Sequence, residues 1–569
     1  MKSKNLLRVI VQGWSTFALL SFFAVAVLAQ QGTSTVRGTV ADPQGNVVSG
    51  ATVTLTNLGT GATRTVQTSD EGIYVFDFVS VGDYKVEVEA SGFKKVAVTD
   101  IHALVAKSTT VDVKLEVGIA TETVTVAAGS AEVLVNRDDA TLGNNFVSRQ
   151  ITQLPLEARN VANLLSLQPG ATRDGFVAGA RADQSNITLD GVDINEAETN
   201  QIANPNTDPA DSTNALNLLP ERSTVLRLNA EAVEEFRVTT ANANANQGRS
   251  GGAQVALVTK SGTNEWHGAL FEFYRTKKFS ANNFFNNASG IEKPALIRHT
   301  FGGALGGPII NDRAFFFYSF EGDRITRSQP IEVPRNVPLA SLGNGEVKYI
   351  GCPPGTDPDV CGAPGGVTPT LQTLTTAQLN SIFPTVGINP VAVAVLKDAA
   401  AKYPANDFTT GDGLNSAGFR FNTPLPAERN SHVAKFDFNL TSKQTAFVRG
   451  NVIYDLISQE RQFPDTPAPT IWSHPLGIAA GHTWTLSNSV VNNFRYGFTR
   501  EAFSQQGDSA ENAISFRFIF SPRRFERTLT RITPVQNFTD DVSWVKGNHS
   551  FGFGTNIRLV RNRRDSFNP

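Results

Sequence analysis

From Ala434 to Val452 apolar and polar residues alternate through two strands and the turn between them. Ala434, Phe436, Phe438 and Leu440 share one face of the first strand; Lys435, Asp437 and Asn439 share the other. After the turn Thr441–Gln444, Ala446, Val448, Gly450 and Val452 alternate with Phe447, Arg449 and Asn451. Successive side chains of a strand point to opposite faces, so each strand has an apolar face and a face carrying full charges. A soluble sandwich gives the same alternation. A closed barrel, apolar toward lipid and polar toward a hydrated lumen, also accounts for Lys, Asp and Arg on the second face.

The rest of the second half repeats the design. Ala269, Phe271 and Phe273 share a face, and Phe494, Tyr496 and Phe498 alternate with Arg495 and Thr499. Phe315, Phe317 and Ser319 oppose Phe316, Tyr318 and Phe320, an all-round aromatic strand suited to a membrane-interface girdle. The turn Lys546-Gly547-Asn548-His549 separates Val542–Val545 from Phe551 and Phe553. The composition, with 38 Phe, 47 Gly and one Met, suits short strands joined by turns. Roughly eight to ten candidate strands follow Glu265 at the ~10-residue spacing of an outer-membrane barrel. The inserts Pro330–Pro426 and Glu501–Pro534 are too long for a compact soluble domain and would be extracellular loops.

The N-terminus bears on the compartment. Lys2, Lys4 and Arg8 precede an apolar stretch, Val9–Leu28, that ends in Val27-Leu28-Ala29. This reads as a signal peptide over residues 1–29, with a single transmembrane anchor as the alternative. No later run approaches the roughly 18 apolar residues of a spanning helix, so any further crossing would be made by strands closed into a barrel. Export would allow Cys352 and Cys361 to form a disulfide in the Pro/Gly-rich stretch Gly351–Gly366. Two unpaired loop thiols are the alternative. A zinc site lacks a second ligand pair. A net charge of −2 gives no electrostatic footprint for nucleic acid.

Residues 33–117 read as a small β-sandwich of alternating strands, with Val53 and Leu55, then Tyr74, Phe76 and Phe78, then Tyr84, Val86 and Val88 on shared faces. Gly38-Thr39-Val40, the turn Asp42–Gly45, Gly50-Ala51-Thr52-Val53, Asp70-Glu71-Gly72-Ile73-Tyr74 and Gly82-Asp83-Tyr84 resemble the carboxypeptidase regulatory-like domain. That resemblance implies a transthyretin-like fold without protease chemistry, and a carbohydrate-binding or spacer role. His102 is the segment's only histidine, so no metal triad assembles there.

In the linker 118–139, Glu122-Thr123-Val124-Thr125-Val126-Ala127-Ala128 alternates with little around it to bury it. Such a strand can add to another protein's sheet edge. In position and composition it resembles the TonB box, which implies a TonB-type periplasmic energy-coupling partner for Glu122, Thr123, Val124, Thr125 and Val126. The alternative is a linker that continues the sandwich's last strand.

Residues 140–263 mix helical and strand periodicity, as a compact α/β domain would. Asn144–Thr152 and Arg159–Leu167 have helical spacing, Ile187–Val192 is a strand with an Asp190-Gly191 turn, and Glu231–Phe236 is a short helix or turn before the strand Arg237–Thr240. Leu154-Pro155-Leu156 with Arg159-Asn160, Ile187–Asp193 and Glu234-Glu235-Phe236-Arg237-Val238 resemble, in order and spacing, the plug of Oar-like TonB-dependent receptors. The resemblance runs on through Gly248–Gly252 into Val258–Asn264. The polar insert Asn195–Asn217 departs from a compact plug and is expected to be a mobile loop.

The chain is thus expected to be mainly β: a transthyretin-like sandwich, a small α/β plug, and from residue 264 to 569 part of an antiparallel outer-membrane β-barrel. The resemblance implies an exported outer-membrane protein, lipid around it, and uptake of a small ligand, whether an iron chelate, an oligosaccharide or a peptide, with no cofactor. Receptors of this kind have roughly 22 strands, so the candidate count implies a barrel not completed within these residues. A surface adhesion or structural role on the same architecture is the competing expectation. An enzyme is not expected. Gly248-Arg249-Ser250-Gly251-Gly252 matches a nucleophile elbow, but Ala241–Gln247 before it is no hydrophobic strand and Gln254–Thr259 after it is no helix. Gly302–Pro308 lacks the Lys and Ser/Thr of a phosphate loop and reads as barrel strand and turn.

Overall fold

The computed structural model describes residues 32–118, 123–127, 140–195, 226–506 and 515–567, apart from 155–158, 160, 173–175, 182–183, 246, 283, 285–286, 288–291, 332, 354, 518, 522–527 and 548. The expected signal peptide, Glu122 and nearly all of the insert Asn195–Asn217 lie outside the described residues.

Alternation builds the N-terminal sandwich. Its strands are β1 (Ser34–Ala41), β2 (Thr52–Asn57), β3 (Thr63–Gln67), β4 (Ile73–Val79), β5 (Gly82–Glu89), β6 (Lys95–Ala103), β7 (Ser108–Thr110), β8 (Val113–Lys114) and β9 (Thr123–Ala127). One sheet runs β4-β1-β7, with β8 also on β1, and the other runs β3-β2-β5-β6-β9. Val36, Val53, Leu55, Phe76, Val86 and Val88 fill the space between them.

A five-stranded sheet of order β10-β13-β14-β11-β12 builds the domain expected to be a plug, and called the plug below, from β10 (Leu142–Val147), β11 (Asn186–Leu189), β12 (Val192–Asp193), β13 (Val233–Ala241) and β14 (Gln254–Thr259). Two sequence expectations are corrected here. Asn144–Val147 is strand, because it pairs with β13, and helix begins only at Ser148 and runs to Gln153. Ala230–Ala232 is a single 3-10 turn, and β13 already starts at Val233. Val161–Leu167 is also a 3-10 helix.

The large sheet has twelve strands among the described residues. They are β15 (His267–Thr276), β16 (Leu296–Ile310), β17 (Ala314–Pro330), β22 (Asn422–Pro424), β23 (Ala427–Thr441), β24 (Gln444–Ser458), β25 (Thr470–Ser473), β26 (Leu476–Ser487), β27 (Val490–Gln506), β28 (Thr528–Lys546), β29 (His549–Val560) and β30 (Arg563–Phe567). Its order is β15-β16-β17-β23-β24-β25-β27-β28-β29, all antiparallel, with β26 also between β24 and β27. Nine of these strands have ten residues or more, within the count expected from spacing. The insert after β17 carries β18 (Arg335–Pro338) and β21 (Ser416–Phe419), paired together, and β19 (Val347–Gly351) and β20 (Thr370–Leu374), paired together. Glu501–Pro534 is not all loop. β27 and β28 run on into it, pairing Glu501 with Thr533, because a hairpin extends as long as its register holds.

One end of the large sheet has tight turns, at 311–313, 442–443 and 488–489, and the other has the long connections. No helix of the described residues is long and apolar enough to cross a membrane. The strands of the large sheet have faces inverted relative to a soluble protein. Phe436, Leu440, Val448 and Val452 point out and are exposed, while Lys435, Arg449 and Asn451 point in and are buried.

Candidate functional site

Register places two belts on the large sheet. Through successive pairs, Phe317, Lys435, Arg449, Ala479, Gly497, Asn537 and Arg558 lie level with one another across seven strands. One residue away along each strand run Phe316, Phe436, Val448, Ala480, Tyr496, Phe538 and Ile557. Alternation sends the first belt inward and the second outward.

The inner belt receives the plug. The Asp190-Gly191 turn joins β11 to β12, and Gly191 takes a φ of +77°, a left-handed conformation that favours glycine. A side chain there would also run into the Arg495 guanidinium. Asp190 accepts from the Thr259 N–H at 2.9 Å and the Thr259 hydroxyl at 2.8 Å. Its carboxylate lies 2.9 Å from Arg449 Nε and 3.8 Å from Lys435 Nζ. Lys435 also donates to the Thr259 carbonyl at 3.1 Å. At the far side of the turn Asp193 pairs with Arg249 and lies 3.9 Å from Arg558. Between the two carboxylates, Val192 packs where Gly497 leaves no side chain in the wall.

More contacts hold the plug. Arg159 pairs with Glu231 at 3.2 Å and stacks over Phe271 and Phe273, 4.6 and 4.5 Å from their centroids. The face shared by Ala269, Phe271 and Phe273 is therefore the inner one at these two rings. Arg227 donates twice to Asp455, at 3.2 and 3.1 Å. Phe317 and Val433 of the wall join the plug's own apolar core of Leu164, Leu189, Phe236 and Val255. The aromatic strand β17 accordingly divides, with Phe315 and Phe317 buried and Tyr318 exposed on the outer face.

The sandwich sits at the tight-turn end, against plug and wall together. Val105, in the turn after β6, packs with Ala256 and Val258 of β14. Its N–H donates to Glu235 Oε2 at 2.7 Å, and the Asn145 amide donates to the other oxygen. Burial pushes the Glu235 carboxyl up to about 7, against those two hydrogen bonds and nearby Arg237, which favour the charged form. The Asn264 N–H reaches the Gly59 carbonyl at 2.8 Å, and Ser543 donates to Asp77.

The sequence-predicted docking residues Thr123, Val124, Thr125 and Val126 lie in β9, which is paired in parallel with β6. The strand expected to lie free is thus the margin of the sandwich. Cys352 and Cys361 are joined by a disulfide in the long insert. Ser250 donates to the carbonyls of Gln184 and Ala253, and strand β14 follows it. Its hydroxyl is a loop tether and the geometry is not that of a nucleophile elbow. Among the described residues no group of His, Cys, Asp and Glu is placed to hold a metal. Sequence reasoning missed Lys435, Arg449, Arg495 and Arg558 as partners of the Asp190 turn. The only signal was their place on the inward-facing parity of their strands.

Residues 258–569 match the family model described as outer membrane beta barrel domain, and residues 35–116 match that of the carboxypeptidase regulatory-like domain. The TonB-dependent transporter Oar of Myxococcus xanthus is 27% identical over 317 residues, 52% of this chain and 27% of that protein. The chain thus spans about a quarter of the length of this curated relative. Among solved structures, the outer membrane transporter YddB from Escherichia coli aligns with a TM-score of 0.45 at 11% identity, over 74% of this chain and 48% of that one. A mutant of the ferric enterobactin receptor PfeA from Pseudomonas aeruginosa aligns with a TM-score of 0.36 at 11% identity, over 74% and 55%.

Proposed function

Because the chain belongs to the outer membrane beta barrel domain family, we propose that it acts as a TonB-dependent outer-membrane transporter whose plug gates uptake of a small ligand. The observation that carries this reading is the Asp190–Asp193 turn, a separate domain's hairpin held by ion pairs against the inner belt of a sheet whose outer belt is apolar. Ion pairs of this kind are held firmly yet are not permanent, because water that enters as they part rehydrates both charges and recovers their desolvation cost. A plug so seated closes the passage at rest and moves when its N-terminal lead is pulled. In this reading a TonB-type periplasmic protein binds Glu122–Val126, and an iron chelate, oligosaccharide or peptide binds at the long-connection end. The work is mechanical, and no residue acts as a catalyst.

Deleting Glu122–Val126 from the genomic copy is expected to abolish growth on whichever iron chelate, oligosaccharide or peptide the intact gene supports, while surface binding of that compound persists. Unchanged growth would sink the reading. A surface-attachment role is favoured by one feature, the separate core of Val337, Leu396, Tyr403, Phe463 and Phe520 built by the long connections. That role predicts that attachment survives the same deletion.

A further inference from the structure

Among the described residues only one edge of β9 is used. Thr123–Ala127 pair residue for residue with Lys95–Thr99, and among the described residues no strand pairs with the opposite edge. A bare edge is a template for another chain's strand, and folded proteins guard such edges with charge, proline or a bulge. The sheet's other margin, β3, has an inward charge of that kind, Arg64, whose guanidinium donates to the Asp77 carbonyl at 2.7 Å. β9 reads Thr-Val-Thr-Val-Ala and has no charge, proline or register shift. Its side chains add to the invitation. Paired residues of neighbouring strands share a face, so Val124 and Val126 extend the row of Val96 and Val98, which are buried in the core. Val126 remains 47% exposed. The open margin therefore offers main-chain groups beside an apolar strip.

β6 leads from this margin to the plug. Its first residues, from Lys95, hold β9; its last, Ala103, runs into the turn whose Val105 sits on Glu235, Ala256 and Val258. We propose that the periplasmic coupling partner adds an extended, alternately apolar strand to the open edge of β9 while β9 stays on β6, so that the sandwich is part of the docking surface and a pull passes along β6 to the Val105 seat before it reaches the plug. This rests on the reading of β9 as the docking strand. Addition breaks nothing that is already formed. Stripping β9 from β6 breaks a five-residue ladder and the main-chain hydrogen bonds that hold it.

The test uses the full chain in detergent and the soluble periplasmic domain of the host's TonB-type protein as probe. The double substitution Val96→Cys with Val124→Cys would lock β9 to β6, since strand neighbours stand about 4.8 Å apart, within disulfide reach. Ala97→Cys with Thr125→Cys does the same on the other face. The oxidised, locked protein is expected to bind the probe within about twofold of the parent, and deletion of residues 123–127 to weaken binding more than about tenfold, the equivalent of one or two main-chain bonds. If locking weakens binding by about tenfold or more and reduction restores it, with the parent reduced in parallel, the strand docks only after leaving β6. That outcome overturns the inference and leaves the docking-strand reading intact. If deletion has no effect, the docking-strand reading itself falls, and the inference with it. If neither pair oxidises in folded protein, the β6–β9 register is refuted.

Discussion

Asp190 is where one side chain does most for the plug's position. Two bonds from Thr259 and two cations from the wall converge on a carboxylate that is 4% exposed. Removing one member of such a buried pair leaves the other charged and uncompensated, at roughly 3–5 kcal/mol. Asp190→Ala is expected to lower stability to chemical denaturation by that order, with Arg449→Ala doing less on top of it than alone. A coupling of about 0.5–3 kcal/mol in the double-mutant cycle would confirm direct interaction, and strict additivity would refute it. Glu235 provides the pH dependence. Its carboxyl lies at about 7 in the folded chain against a usual 4.5, so the folded state holds a proton that the unfolded chain releases. The stabilisation is complete below about 4.5 and is lost as pH rises through about 7. Glu234, also pushed up by burial, adds in the same direction, while Arg237 opposes. Protection of the Val105 amide, its exchange rate taken relative to the intrinsic rate at each pH, should fall over this window in the parent and stay level in Glu235→Gln. An equal pH dependence in both would remove Glu235 as the cause. The Asp190-Gly191 turn was legible from two adjacent residues. Its partners were not, because Lys435, Arg449, Arg495 and Arg558 reach it only through folding of the whole wall, and local periodicity has no information about which inward charge meets which loop.

Elements were legible where their pattern is local and one-sided. Apolar alternation located β2, β5, β23 and β24, since each has one face in a core or toward lipid. It failed where pairing over long sequence distance overrides local spacing. Leu142–Val147 has helical spacing in its second half, yet β13, some ninety residues on, claims it as an edge strand. The Glu501–Pro534 segment is polar enough to read as loop, yet the β27–β28 hairpin extends into it. The long insert after β17 shows that a loop can acquire structure of its own. Its disulfide closes a span of nine residues beside the β19–β20 hairpin, and a closure of that length contributes somewhat under about 3 kcal/mol on the chain-entropy account. Replacing Cys352 and Cys361 together by Ser is expected to speed limited proteolysis within residues 352–367 and to leave unfolding of the large sheet unchanged. A shift in the main transition would mean that the insert is coupled to the wall.

At the scale of the molecule the two belts define a direction through the membrane. The outer belt through Phe316, Phe436, Val448, Ala480, Tyr496, Phe538 and Ile557 passes Val448 about five residues from the tight turn at 442–443. At ~3.3 Å per residue and a tilt near 45° this is ~12 Å from the turn, the middle of an apolar band ~25 Å tall. Leu440, one strand over and beside the turn, lies at the border of the band. An arginine at the midplane of such a barrel costs ~2–4 kcal/mol and one at the interface ~0–1. Val448→Arg is therefore expected to destabilise the protein refolded in lipid by the larger amount and Leu440→Arg by the smaller. In a soluble sandwich both sites would face water and neither change would matter, so equal effects at the two depths would refute the membrane orientation. The inner belt supplies the matching control. Arg449 is already an arginine one residue from Val448, and it is accommodated because its parity turns it toward Asp190. One step along a strand thus separates a charge that seats the plug from one the bilayer would reject. This is why strict alternation runs through the wall, and why a one-residue slip in register would at once expose the wall's inward cations to lipid and draw the lipid-facing apolar belt into the lumen.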